Sequence, residues 1–132
     1  MGYRNVKVYP TLSSTTHWQS NDMPIFRYAD VLLMKAEAIL RGATATNGDT
    51  PASLMNQIRN CAKAPTVTTV TLDELLDERA RELYMECWRL NDLIRYGLFE
   101  NDWGLKTTEL GTANKDKYRR IFPVPLDVMK LN

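Results

Sequence analysis

Apolar residues recur at helical spacing in three stretches of the chain, and signals that start or end a helix flank each stretch. In the first, Asn21 and Asp22 precede Pro24, apolar residues follow at intervals of mostly three and four, and Gly42 comes after the last of them. The pattern predicts an amphipathic helix that Gly42 closes in a left-handed conformation. Its apolar positions are Ile25, Ala29, Leu32, Leu33, Ala36 and Leu40.

The second stretch begins at Thr50 and Pro51, a capping residue followed by a proline at the first helical position. Pro65 ends the stretch, since a proline cannot continue a helix. The sequence therefore predicts a second helix between these residues. Its predicted buried stripe consists of Leu54, Met55, Ile58, Cys61 and Ala62.

The third stretch opens with Thr71 and Glu74 in a capping box, and its apolar spacing continues as far as Gly97. The pattern predicts one long helix over this whole stretch. About eight residues separate it from the second helix, so the two are expected to form an antiparallel pair. In such a pair Cys61 and Cys87 lie too far apart for a disulfide, and both are expected to be reduced and buried.

The rest of the chain lacks helical periodicity. Residues 1–21 are predicted to form an extended arm, residues 22–97 the helical core, and residues 98–132 a loop followed by a C-terminal segment. In that segment prolines keep residues 121–125 extended, and a short turn is expected over residues 126–131. At 132 residues, the chain is the size of one domain. The fold class predicted is mainly α.

Composition excludes several classes of function. The chain has 17 Lys and Arg against 16 Asp and Glu, and this balance gives no field for attracting nucleic acid. One histidine and two cysteines argue against a structural zinc site, and no cofactor motif is present. The apolar runs fall far short of a membrane-spanning helix, and no secretory signal opens the chain as given.

Charges of both signs lie on one face of the predicted third helix. They are Glu78, Glu82 and Glu86, followed by Arg89, Asp92 and Arg95. Two carboxyl groups could serve glycoside hydrolysis, provided that both line a cleft and one has a raised pKa. Alternating charges along one helix face are more typical of an ion-pair ladder. We therefore expect a structural role and no catalytic residue.

Aromatic residues supply the candidate ligand contacts. Trp18 and Trp103 fall in predicted loops, where an exposed indole could stack on a sugar ring, although either could instead plug the edge of the core. His17 stands alone, without a nucleophile in a recognisable motif, and so gives no catalytic triad. On the third helix, Tyr84, Trp88 and Tyr96 are expected to pack in the core or between helices.

Residues 78–95 read ERARELYMECWRLNDLIR and resemble the signature helix of the SusD/RagB family. Residues 26–38, 52–59 and 122–125 resemble further family stretches in the same order. Three positions depart from the usual pattern. Cys61 stands where arginine is common, Cys87 where glycine is common, and Leu90 where an aromatic residue is common.

This resemblance implies tetratricopeptide-like antiparallel helix pairs and a surface-exposed lipoprotein of the Bacteroidetes outer membrane. Such proteins bind an oligosaccharide or another nutrient and pass it to a SusC-like, TonB-dependent transporter, without catalysis. The chain resembles only the C-terminal part of these proteins, and the family's lipid anchor and signal peptide are absent from it. The resemblance also implies that Arg27, Glu37 and Arg59 are partners of the charged helix face.

Two further functions remain open at this point. The chain could be a helical scaffold that binds another protein and contains no ligand site, or, third, a glycosidase. Exposed tryptophan and tyrosine would favour sugar binding. A broad apolar patch on a helix face would favour a protein partner, and paired carboxylates in a cleft would favour the enzyme.

Overall fold

The structure, a computed structural model, describes residues 7, 24–101 and 120–130. Within these residues it contains helices and no strand, which confirms the mainly α fold class. The predicted arm over residues 1–21, apart from Lys7, and most of the predicted loop lie outside the described residues. The helices are α1 (Tyr28–Leu40), α2 (Pro51–Cys61), α3 (Leu72–Glu82), α4 (Arg89–Arg95) and α5 (Leu126–Met129).

Local signals fix the starts of α2 and α3 and the end of α1. The Thr50 hydroxyl accepts a bond from the Ser53 amide, and Thr71 and Glu74 form the predicted capping box. Gly42, with φ of 100°, follows the end of α1 as expected. The start of α1 differs from the prediction, because Ile25 and Phe26 precede the helix and are exposed.

The prediction of one helix from Thr71 to Gly97 is wrong. In a continuous helix the Glu82 carbonyl would accept a bond from the Glu86 amide, but it accepts one from the Arg27 guanidinium at 2.9 Å instead. The Glu86 amide donates to the Leu83 carbonyl. After α3 the backbone therefore turns, with Met85 and Cys87 at positive φ, before α4 begins.

The core lies where α1 packs against α2 and α3. Ion pairs show the directions: Arg27, just before α1, pairs with Glu82 at the end of α3, and Asp30, one turn later, pairs with Arg79, one turn earlier in α3. Helix α1 thus runs antiparallel to α3. The buried cluster comprises Leu32, Leu33, Ala36, Leu54, Met55, Ile58 and Leu75.

Helix α2 also runs antiparallel to α1. Lys35 in the middle of α1 pairs with Asp49, which precedes α2, while the end of α2 lies beside the start of α1. It follows that α2 and α3 point the same way, and the predicted antiparallel pair of these two helices is wrong. The connecting segment after α2 returns along that helix, where Asn56 bonds both the amide and the carbonyl of Val67 at 2.8 Å.

Residues 120–130 follow the sequence prediction. Pro123 and Pro125 lie in a segment without helical structure, and α5 forms one short turn after it. Arg120 forms an ion pair with Glu100. The apolar side chains of this segment, including Phe122, are exposed.

Candidate functional site

A buried cluster of charges holds the helical body together. Arg79 is 2% exposed and donates from Nη1 to Asp30 and from Nε to Asp92, each over 2.8 Å. Burial alone would lower the pKa of Arg79, but the two carboxylates raise it above its usual value. The cluster joins α1, α3 and α4, so its role is to fix these helices against one another.

Arg27 joins the start of α1 to the turn after α3. Its Nε lies 3.0 and 2.9 Å from the two carboxylate oxygens of Glu86, and its Nη2 lies 2.9 Å from the Glu82 carboxylate. These contacts, the bond to Glu86 foremost, raise the pKa of Arg27. Lys7 also pairs with Glu86. The start of α1 is therefore held in place by charged groups.

Glu37 connects α1 with α4. Arg95 donates to both of its carboxylate oxygens, at 2.5 and 2.9 Å, and Arg41 donates to one of them at 2.8 Å. Burial would raise the pKa of Glu37, but the two guanidinium groups overcome this effect and lower it to about 2. Arg41 and Arg95 also lie over the ring of Tyr96, at 4.9 and 5.4 Å.

Arg59 makes the third expected contact, since it bonds Glu78 at 2.7 Å. Arg27, Glu37 and Arg59 all pair with residues of the charged stretch 78–95, as the family resemblance implied. All three glutamates of the ladder have arginine partners. At Glu86, burial favours the protonated acid, yet Arg27 and Lys7 lower the pKa, the opposite of what a general acid requires. The arrangement is that of ion pairs between packed helices.

An open cleft of about 450 Å³ lies between the start of α1 and the end of α2. Buried Leu32 and Ile58 contribute its apolar lining. Around them stand the exposed ring of Tyr28 and the exposed side chain of Gln57. Arg27 and Glu82 also line the cleft, so it combines an apolar surface, one aromatic ring and several polar groups. This is the composition expected of a small-molecule site.

Sequence reasoning missed this cleft. Tyr28 stands off the buried stripe of α1, and Gln57 is a polar residue among the apolar positions of α2. A polar residue within an apolar pattern is too common to mark a site, and only the packing of two separate helices brings Tyr28 and Gln57 to one cleft. The predicted candidates Trp18 and Trp103, together with His17, lie outside the described residues.

The other aromatic residues follow the prediction only in part. Trp88 is half-buried and packs against Phe26, with ring centroids 5.7 Å apart. Tyr96 is half-buried beneath its two arginines. Tyr84, expected to pack between helices, is 57% exposed, because it falls in the turn that interrupts the predicted long helix.

Both cysteines are free and exposed, so the expectation of burial is wrong. Cys61 is the last residue of α2 and lines the cleft, while Cys87 lies in the turn after α3. Within the described parts of the chain, no group of acidic, histidine or cysteine side chains could hold a metal ion. None of the helices described is both long and apolar enough to cross a bilayer.

Comparison with known proteins places the chain in a family. The model of the SusD family matches residues 1–123. The chain belongs to the SusD family. It is 35% identical to the starch-binding protein SusD of Bacteroides thetaiotaomicron over 121 residues, which cover 87% of this chain and 21% of that protein.

A second relative is SusD-like protein P38 of Formosa agariphila. It is 33% identical over 106 residues, which cover 70% of this chain and 19% of the relative. The chain thus spans about a fifth of the length of the curated relatives it matches. No solved structure matches the chain.

Proposed function

We propose that this protein binds a glycan at the outer surface of a bacterial cell and passes it to a SusC-like, TonB-dependent transporter. The observation that carries the proposal is the family match over residues 1–123, together with the starch-binding activity for which one relative is named. The proposal also assigns the protein to the outer membrane, as a surface-exposed lipoprotein.

Capture without catalysis agrees with the chemistry of the described residues. Glycoside hydrolysis needs a carboxylic acid with a raised pKa, whereas the pKa values of Glu37 and Glu86 are lowered by arginine partners. Sugar binding needs a rigid frame that presents aromatic rings and hydrogen-bonding groups. The ion-paired helices supply such a frame, and Tyr28 is exposed at its cleft.

Affinity electrophoresis tests the proposal. The purified chain is run through native gels that contain starch, xylan, arabinan, mannan or mixed-linkage β-glucan. We expect at least one polysaccharide to retard it relative to a gel without polysaccharide. A Trp18→Ala/Trp103→Ala variant run in parallel tests the two tryptophans as ligand contacts. A chain with a helical circular dichroism spectrum that none of these polysaccharides retards would contradict glycan capture.

A second candidate is a helical scaffold that binds another protein and has no ligand site in this chain. The observation in its favour is the outer stripe of α1, formed by Tyr28, Val31 and Met34, whose exposed fractions are 72%, 49% and 44%. Exposed apolar residues on one helix side are typical of protein contacts. A Val31→Glu/Met34→Glu variant that loses binding to a SusC-like transporter, with no polysaccharide retarding the wild-type chain, would favour this candidate.

A further inference from the structure

We propose that the cleft between α1 and α2 is a saccharide subsite, in which Tyr28 stacks on a sugar ring and Gln57 binds its hydroxyl groups. The inference rests on the proposed function and names the place in this chain where the glycan binds. It does not involve Trp18 or Trp103, which sequence reasoning offered as contacts.

The size and lining of the cleft suit a sugar. Its volume of about 450 Å³ falls within the roughly 300–1,000 Å³ typical of ligand sites. A pyranose ring presents C–H groups on its faces and hydroxyl groups around its edge. Leu32 and Ile58 offer apolar surface to the C–H groups, while polar side chains around them can reach the hydroxyls.

Tyr28 is the stacking residue. It is the first residue of α1 and is 72% exposed. The opposite side of this helix is buried against α2 and α3. Arg27, its neighbour, is bonded to Glu82 and Glu86, so the backbone that carries the ring is fixed. Among the described residues, no other aromatic ring or cation packs on Tyr28. Because the backbone is already fixed, a sugar that covers the ring has to order only the two side-chain torsions of Tyr28, which keeps the entropy cost of binding low.

Gln57 supplies the hydrogen bonds. Its side-chain amide is exposed and has no partner among the described residues. A glutamine amide offers two donors and an acceptor, which match the mixed donor and acceptor character of sugar hydroxyls. Arg27 lines the same cleft, and its Nη1 group is likewise without a partner in the part of the chain that the structure describes.

The polar groups favour a sugar over a partner helix as the occupant. An apolar helix seated in the cleft would bury the Gln57 amide without a partner, and burying an unpaired amide costs free energy. Sugar hydroxyls would satisfy the same amide. The remaining apolar residues of the outer stripe, Val31 and Met34, are not among those that line the cleft.

Isothermal titration of the chain with each of the five polysaccharides tests the subsite. We expect Tyr28→Ala to weaken binding at least tenfold and Gln57→Ala about fivefold. Two variants serve as controls and should bind as the wild type does. Tyr84→Ala removes an exposed tyrosine in the turn after α3, and Asn60→Ala removes an exposed amide elsewhere on α2. Circular dichroism checks that every variant keeps its helices.

The outcomes separate the inference from the proposed function. If the wild-type chain binds a polysaccharide and Tyr28→Ala and Gln57→Ala bind it equally well, the cleft is not the subsite, while glycan capture stands. If the folded wild-type chain binds none of the five, both fail. Loss of binding in Tyr28→Ala and Gln57→Ala, but not in the controls, supports the inference.

Discussion

Arg79 donates a hydrogen bond from Nη1 to Oδ1 of Asp30 over 2.8 Å, although the two residues lie 49 positions apart in the sequence. Both side chains are almost completely buried, so the bond fixes α3 against α1 where water is excluded. Arg27 and Tyr28 precede Asp30 by less than one turn. The buried pair therefore also determines where the rim of the cleft lies.

Removing Arg79 should destabilise the protein strongly. We expect Arg79→Met to lower the free energy of unfolding by about 3–5 kcal/mol, because Asp30 would remain buried without its arginine and Asp92 would keep only Arg95. Arg81→Met is the matched control, since Arg81 pairs with Glu78 but its side chain is 61% exposed; its loss should stay below about 1 kcal/mol. Urea unfolding measures both. Similar losses in the two variants would contradict a stabilising role of the buried ion pairs of Arg79.

Acid should weaken the contact between α1 and α4. Because the pKa of Glu37 is about 2 in the folded chain and about 4.3 in an unfolded one, its ion pairs stabilise the fold above pH 4.3. This stability is lost as pH falls from 4.3 towards 2. With allowance for solvent around Arg41 and Arg95, we expect the loss to be on the order of 2 kcal/mol.

The Glu37→Gln variant is the control for this pH dependence. Its free energy of unfolding should be lower than that of the wild type at pH 7 and should fall less steeply between pH 4.3 and pH 2. Urea titrations at a series of pH values measure both slopes. Identical slopes in the two proteins would show that Glu37 is not the titrating group.

Features that depend on neighbouring residues were predictable from the sequence. The caps at Thr50 and Thr71 were predicted, because each is decided by a side chain within three residues of the amide it binds. The ion-pair partners on other helices came from the family resemblance. The break after α3 was not predicted, because the apolar spacing continues through it. The bond that Arg27 donates to the Glu82 carbonyl comes from 55 positions away and leaves no local signal.

The arrangement of helices and the cleft were also beyond local reasoning. A short connection suggested that α2 and α3 run antiparallel, but Asn56 holds the connecting segment alongside α2 through Val67. The segment therefore returns to the start of α2 before α3 begins. Tyr28 and Gln57 line one cleft because α1 packs on α2, and no pattern within either helix indicates that the two residues share a cleft.

The turn after α3 predicts a stabilising substitution. Cys87 has φ of 63°, a conformation that costs a residue with a Cβ atom about 1 kcal/mol and that glycine adopts freely. We expect Cys87→Gly to raise the free energy of unfolding by roughly 0.5–1 kcal/mol. The resemblance at residues 78–95 implies glycine at this position, which agrees with this geometry.

Cys61→Gly is the matched control for that substitution. Cys61 ends α2 in a helical conformation, so glycine there should lower the free energy of unfolding by roughly 0.5 kcal/mol. Thermal and urea unfolding of both variants should show a higher free energy of unfolding for Cys87→Gly and a lower one for Cys61→Gly. A loss of stability in Cys87→Gly would contradict the strain at this turn.

The position of the segment after α2 should depend on the side chain of Asn56, which bonds Val67. We expect Asn56→Ala to lower the free energy of unfolding by about 1–3 kcal/mol, because the half-buried amide and carbonyl of Val67 lose their partners. Asn60→Ala, which removes an exposed side chain one turn later, should change it by less than about 0.5 kcal/mol. Hydrogen exchange of the Val67 amide gives a local measure. Unchanged exchange in Asn56→Ala would contradict this role.

The central claim, that a saccharide binds in the cleft, is tested most directly by the reactivity of the two thiols. Both cysteines are free and exposed, but Cys61 lines the cleft and Cys87 does not. The rate at which a maleimide labels each thiol is measured by mass spectrometry, with and without a saturating amount of the polysaccharide that binds most tightly. We expect labelling of Cys61 to slow at least fivefold and that of Cys87 to stay constant. Equal labelling of Cys61 in the presence and absence of a bound polysaccharide would contradict a saccharide in this cleft.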